Sequence, residues 1–458
     1  MKNLDSLSVR YIVRIPLNKM RLGFSDMSIL DALSFTISGN KEYREEIEKA
    51  YNVRPDLGYI ATKIKKNGIS GIKHIEPTIG VPILMAKADR LTSPTEILDK
   101  IGSCAVEFKY DGLRLQVHYK KAESGKGKGA SIKLYSRNLE DVTHMFPDIV
   151  EGVKKQVSAD EVIFEGEVVA YNPKNGVFIP FQQTMQRKRK YDIAKKALEI
   201  PVKLFAFELL YDHGKNYIAL AYKTRKEKLR QIIKQGSVII YAQETIVSKE
   251  SQIDQLFSES VKKGFEGIIA KKLDGVYQAG MRGFNWIKFK RAMSKTLTDT
   301  FDVLVMGYTK GEGKRTAFGV GQFLTGVYDS KSDKFVTVSK IGTGLTDEQF
   351  KEFYKRVKPL ERKDRPLAYD VDKLLEADHW LTPSLVVEVA ADEITRSQVH
   401  TAGRIMGPSK NKKAFAVVSP GYALRFPRLI RFRDDKKPKD ATTLTEVIKM
   451  FGSQNHKA

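Results

Sequence analysis

The run Lys109-Tyr-Asp-Gly-Leu-Arg114 holds the residue types for a covalent attack on phosphorus. A lysine just ahead of an Asp-Gly turn can project its amine into a cleft and act as a nucleophile. Arg114, past the turn on the polar face of the next run, can grip a phosphate through two parallel N–H donors. Glu107 shares the strand face of Lys109. The competing reading is a polar hairpin with solvated charges, because hairpin turns select Asp-Gly in any case.

More such runs follow in order: Ser136-Arg137-Asn138, Phe164-Glu-Gly-Glu-Val-Val-Ala170, Leu204-Phe-Ala-Phe-Glu-Leu-Leu-Tyr211, Glu266-Gly-Ile-Ile-Ala-Lys271, Arg282 with Trp286-Ile-Lys-Phe-Lys290, and Arg425-Phe-Pro-Arg-Leu-Ile-Arg-Phe-Arg-Asp-Asp-Lys436. Singly each is weak. Phe207 could be a core aromatic, and Glu167 and Glu266 solvated strand ends. Lys288 and Lys290 could be two cations on a strand face opposite Ile287 and Phe289. Glu266 and Lys271 are an odd number of positions apart, so a regular strand would point them to opposite faces. Serving one site would need Gly267 to bend the backbone or Glu266 to precede the strand.

The elements that must carry these residues are legible in outline. Residues 1–85 read as helical: Ser25 or Asp26 can cap a helix carrying Met27, Leu30, Leu33 and Ile37. A second helix runs from Asp56 to Lys66 and stops at Asn67-Gly68. Pro77, Gly80 and Pro82 mark a connector. Past residue 100 the period becomes two, with Val106, Phe108 and Tyr110 alternating with charges, then Leu113, Leu115, Val117 and Tyr119. That predicts strand, turn at Asp111-Gly112, strand. A Gly/Lys-rich loop follows at 120–131. Strands at 162–170, 202–210 and 267–272, with helices near 140–156 and 250–263, predict an α+β domain over 86–298. Short strands at 301–308, 322–328, 335–341, 385–391 and 415–418, with a hairpin connection at 329–334, suggest an OB-type β-barrel over 299–440 and a tail over 441–458. The chain is thus multidomain, as its 458 residues require.

Composition narrows the partner. Lys plus Arg is 79 against 55 Asp plus Glu, a net +24, and such an excess favours a polyanion such as nucleic acid, a signature shared by ribosome-associated and anionic-membrane-binding proteins. Cys104 is the only cysteine, so the chain can build neither a disulfide framework nor a multi-cysteine zinc site, which fits a reducing compartment. No apolar run approaches the roughly 18–20 residues of a membrane span, and the first residues lack the apolar core of a secretory signal.

In this order the runs resemble the motifs of the ATP-dependent DNA ligases, within the nucleotidyltransferase superfamily. The resemblance covers residues 8 to 450. It implies that Lys109 forms a phosphoramidate with AMP, drawing on ATP and Mg²⁺. It implies nucleotide contacts from Glu107, Arg114, Arg137, Glu167, Phe207 (stacked on adenine), Lys271, Arg282, Lys288 and Lys290. Glu167 and Glu266 would be metal carboxylates, and Arg433 and Lys436 would orient the pyrophosphate. The domain over 86–298 would be the adenylation domain. The segment Arg10–Ser34 resembles the last part of the family's helical DNA-binding domain, so 1–85 would be the C-terminal remnant of a truncated one. Glu208 stands where the family often has Asp, keeping the carboxylate. The partner implied is nicked duplex DNA, joined by a monomer that a sliding clamp could recruit. The location would be cytoplasmic and nucleoid-associated in a prokaryote, nuclear in a eukaryote. A messenger-RNA capping or RNA-ligase nucleotidyltransferase shares the Lys-x-Asp-Gly nucleophile, but the helical N-terminal segment and Arg-Phe-Pro-Arg argue against the capping enzyme. An NAD-dependent ligase would need a four-cysteine zinc site. A non-catalytic basic module would bind DNA without acquiring AMP.

Overall fold

The period-two stretches after residue 100 pair into two sheets rather than one in the computed structural model. It describes residues 4–14, 25–122, 130–179, 184–187, 193–234, 236–290, 300–311, 313–408 and 415–455. Most of the Gly/Lys-rich loop and residues 15–24 lie outside the described residues. The chain divides into two units, residues 24–291 and residues 292–458 with 1–23.

In the first unit the strands are β1 (Lys87–Arg90), β2 (Cys104–Lys109), β3 (Leu113–Lys120), β4 (Ser131–Ser136), β5 (Glu161–Ala170), β6 (Val202–Asp212), β7 (Lys215–Asn216), β8 (Ile239–Tyr241), β9 (Glu244–Val247), β10 (Gly267–Lys272) and β11 (Arg282–Lys290). One sheet runs β1-β11-β10-β2-β9, and the other β4-β3-β5-β6-β7 with β8 beside β6. The hairpin expected at Asp111-Gly112 is therefore corrected. β2 pairs with β9 and β10, β3 with β4 and β5, and the turn carries the chain from one sheet to the other. A glycine is needed there because a Cβ on Gly112 would stand 2.1 Å from the Val168 carbonyl oxygen of β5.

Alternation gives each sheet two faces. On β2, β10 and β11 the residues Cys104, Val106, Ile268, Ala270 and Ile287 pack under Ile97 and Ile101 of the helix Pro94–Ile101 and Ile253 of the helix Glu250–Lys262. On the second sheet Leu115, Val117, Phe164, Val168 and Leu204 form a core with Phe146, Ile149, Val153 and Leu229. The remaining faces meet at Ile83, Ala86, Ile163, Leu210, Tyr277 and Trp286. The helix expected near 140–156 begins only at Pro147, whose fixed φ suits a first helical position. Helices Asp26–Ser38 and Leu57–Asn67 lie where capping signals place them, and Arg44–Val53 joins them through Leu30, Ile47, Tyr51, Ile60 and Ile64.

In the second unit the strands Phe301–Thr309, Gln322–Asp329 and Lys334–Ile341 pair antiparallel, with the hairpin at 329–334 as expected. They belong to an eight-stranded sheet in which Val386–Ala390 pairs with Phe301–Thr309 and with Arg428–Phe432. Bulges at Val305/Gly307 and Thr325/Gly326 curl it into a half-barrel. Its inner core includes Phe301, Val303, Val305, Phe323, Val338 and Val387.

Candidate active site

The inward face of the first sheet collects four of the nine cations singled out in the sequence. Glu107 and Lys109 on β2, Lys271 on β10, and Lys288 and Lys290 on β11 all point away from the helix-covered face. Lys109 and Lys290 are both register partners of Gly267. Glu266 lies just before β10 and donates its backbone N–H to the Lys109 carbonyl at 3.1 Å. Gly267 takes φ 141°, a conformation open to glycine, which turns Glu266 toward the same face as Lys271. The odd spacing is resolved in that way.

Lys109 Nζ meets Glu266 Oε2 at 2.5 Å. Burial would raise the Glu266 carboxyl, but Lys109, with Lys290 behind it, holds it below the usual range. Glu167 comes from the other sheet, directly opposite Arg114 in register. Burial, with the Glu266 and Asp111 carboxylates nearby, lifts its pKa to about 7 against the pull of Lys109 and Arg114. The turn itself is anchored by Tyr110, stacked on Phe205 at 4.1 Å and edge-on to Phe265 at 4.9 Å.

Deeper in, Glu107 is buried and fully engaged. It accepts from Tyr222 Oη at 2.8 Å, Lys226 Nζ at 2.6 Å and Lys271 Nζ at 2.9 Å. Burial alone would raise this carboxyl, and the two ammonium groups outweigh it and hold it low. Lys271 also donates to the Phe207 carbonyl at 3.1 Å, and its ammonium lies 4.6 Å from the Trp286 ring centroid and 4.9 Å from that of Phe207. Burial lowers its pKa despite Glu107.

Arg114 is held rather than free. It donates to the Ala86 carbonyl at 2.7 Å and to Glu165 Oε2 at 2.6 Å, with its guanidinium 5.4 Å and 5.3 Å from the ring centroids of Phe207 and Trp286. Its Nε is buried without a partner among the described residues. Lys288 Nζ reaches the Ala88 carbonyl at 3.4 Å, and burial together with Arg282, Lys109 and Lys290 lowers its pKa. Arg282 is exposed at the start of β11, and Arg137 is exposed in the turn after β4. Arg433 and Lys436 lie in the second unit, where Asp302 receives both, at 2.8 and 2.6 Å.

Sequence reasoning passed over Glu165, Tyr222, Lys226 and Tyr277. Glu165 is fully buried and takes Arg114, Gln116 and Tyr277. Its signal was present, since it alternates with Glu167 on one strand face. The others had none, because the carboxylates that accept from Tyr222, Lys226 and Tyr277 are more than a hundred residues away along the chain. Arg225 and Glu208 form a wholly buried pair at 2.8 and 2.9 Å.

The donor set suits a nucleotide with a divalent cation. Among the described residues no three His, Cys, Asp or Glu side chains form a closed metal cage. Magnesium asks for less, commonly one or two carboxylates completed by phosphates and water. Glu167, raised chiefly by burial and further by the nearby Glu266 carboxylate, fits that demand together with Glu266.

A lysine paired with a carboxylate, with a second carboxylate and further cations beside it between two sheets, is the arrangement a nucleotidyltransferase centre requires. Comparison makes the class specific. A family model described as "ATP dependent DNA ligase domain" matches residues 85–290, and "ATP dependent DNA ligase C terminal region" matches 316–436. A "Probable DNA ligase" of Dictyoglomus turgidum is 45% identical over 446 residues, 97% of this chain and 73% of that protein. The "DNA ligase" of Sulfolobus acidocaldarius is 37% identical, over 99% of this chain and 73% of its own. A solved structure, "mycobacterial DNA ligase D complexed with ATP and MES", is 22% identical with TM-score 0.36, covering 78% of this chain and 97% of that one. The chain belongs to the ATP-dependent DNA ligases: it is an enzyme that seals nicks in DNA at the expense of ATP, with an adenylation domain and an OB-fold domain. Among the described residues no helix is long and apolar enough to cross a membrane.

Proposed function

We propose that Lys109 is the residue that carries AMP. The observation that supports it most directly is the Lys109 amine at 2.5 Å from Glu266, with Glu167 and further cations around it. In the first step Nζ forms a bond to the α-phosphorus of ATP while the bond to the bridging oxygen breaks, and the electron pair leaves with pyrophosphate. Glu266 is the nearest acceptor for the proton that Nζ must shed. In the second step an oxygen of the nick's 5′-phosphate attacks the bound AMP, and the P–N bond breaks to restore the amine. In the third the 3′-hydroxyl attacks the adenylated phosphate, and AMP departs.

Phe207 offers the adenine a ring at the cleft floor, with Lys271 and Glu107 beneath it. Lys288, Lys290, Arg282 and the free Nε of Arg114 surround the phosphate, and Arg137 faces the nick from the exposed turn. Mg²⁺ held by Glu167 and Glu266 with the phosphates would spread the developing charge. Arg433 and Lys436 would neutralise the leaving pyrophosphate. We further assign the helices at 26–67 to the C-terminal part of the family's helical DNA-binding domain, consistent with their shared apolar core.

Labelled ATP with Mg²⁺ tests the nucleophile. The wild-type chain is expected to take up label covalently, and a Lys109→Ala variant none; labelling of that variant would sink the assignment.

A further inference from the structure

The Arg433-Asp-Asp-Lys436 run is neutralised from within its own unit. Arg433 donates to Asp302 Oδ1 at 2.8 Å and, in a bidentate pair, to Asp435 at 2.9 and 2.8 Å, with Glu388 at 3.8 Å. Lys436 Nζ donates to the other oxygen of Asp302 at 2.6 Å. One carboxylate thus bridges both cations, and its side chain is only 15% exposed. Asp302 itself is fixed. Its backbone N–H donates to Thr442 Oγ1 at 3.0 Å, its carbonyl accepts from Thr442 N–H at 2.8 Å, and it pairs in register with Glu388.

The arrangement is unequal. Without Asp302, Arg433 would still be aimed by Asp435, whereas Lys436 would lose the carboxylate that receives it. Asp302 is therefore not needed to orient Arg433. Its negative charge stands where any phosphate drawn to both cations must compete.

We propose that Asp302 is a positioning residue that competes with the pyrophosphate of ATP for Arg433 and Lys436. It weakens their hold on polyphosphate and reclaims both cations once pyrophosphate has left. This rests on the reading that the pair meets the pyrophosphate during self-adenylation.

The test is Asp302→Asn, which keeps the size and the backbone bonds, with Asp302→Ser as a second variant that removes the charge. In self-adenylation the KM for ATP is expected to fall about three- to tenfold, the worth of a partly exposed charge-assisted bond, with kcat little changed. Pyrophosphate should also strip AMP from the pre-adenylated enzyme at correspondingly lower concentration. Sealing of a nick that already carries AMP should not change, because that step involves no pyrophosphate. An unchanged or raised KM, with unchanged pyrophosphate sensitivity, would overturn the proposal and leave Asp302 a structural anchor. The double variant Arg433→Ala, Lys436→Ala separates the two layers. If it labels normally with ATP, the reading of the cation pair fails, whatever Asp302 does.

Discussion

At the scale of single residues the site is organised by charge crowding. Glu167 sits with Glu266 and Asp111 in a desolvated corner, so its pKa rises to about 7, while Lys109 holds Glu266 ionised. A carboxyl raised in this way is mostly protonated below pH 7 and ionised above it, and only the ionised form holds a cation. The Mg²⁺ concentration giving half-maximal self-adenylation is therefore expected to rise about tenfold from pH 8 to pH 6. In Glu167→Gln that pH dependence should flatten. Metal titrations of label uptake at both pH values check this, and a demand that does not change with pH in the wild-type chain would count against Glu167 as a ligand. The deeper Glu107 will not take part in such titration, because Lys226 and Lys271 already stabilise its charge.

At the scale of elements, β-alternation does most of the positioning. Every charged residue singled out on β2, β10 and β11 reaches the cleft because odd positions of β10 face inward and even positions pack under helices. That much could be read from the sequence, as could the strand runs and the Ser25 and Asp56 helix starts. The partner of each strand could not. Local pattern marks Asp111-Gly112 as a turn but does not say that β3 leaves for another sheet, since pairing is decided by long-range contacts with β5. For the same reason local pattern does not reveal that Lys226 and Arg225 are buried against the carboxylates of Glu107 and Glu208. The sheet-to-sheet crossing makes Gly112 a sensitive point. A methyl group there would meet the Val168 carbonyl at 2.1 Å and Glu167 Cγ at 3.1 Å. Gly112→Ala should cost about 1–3 kcal/mol in thermal unfolding and slow label uptake by shifting Lys109 against Glu167. A variant with unaltered melting and labelling would show that the crossing tolerates the methyl group.

At the scale of the whole molecule, the net charge of +24 and the chemistry separate two abilities. Self-adenylation needs only ATP and the metal, and on the proposed reading its chemistry lies in the cleft of residues 24–291. Nick joining also needs a hold on duplex DNA, whose phosphates release counterions when bound. Binding to nicked duplex should fall by about tenfold or more between about 50 and 200 mM salt, and sealing with it, while label uptake from ATP changes far less. Equal salt sensitivity of the two would mean that DNA binding does not limit joining.

If the chemistry begins at Lys109, AMP is carried there, and its place on the chain is the most direct test. Wild-type protein incubated with ATP and Mg²⁺, digested and mapped by mass spectrometry, should carry AMP on the peptide containing Lys109, and nicked DNA should then remove it. AMP found instead on Lys271, Lys288 or Lys290, or a Lys109→Ala chain that is still adenylated, would contradict the account.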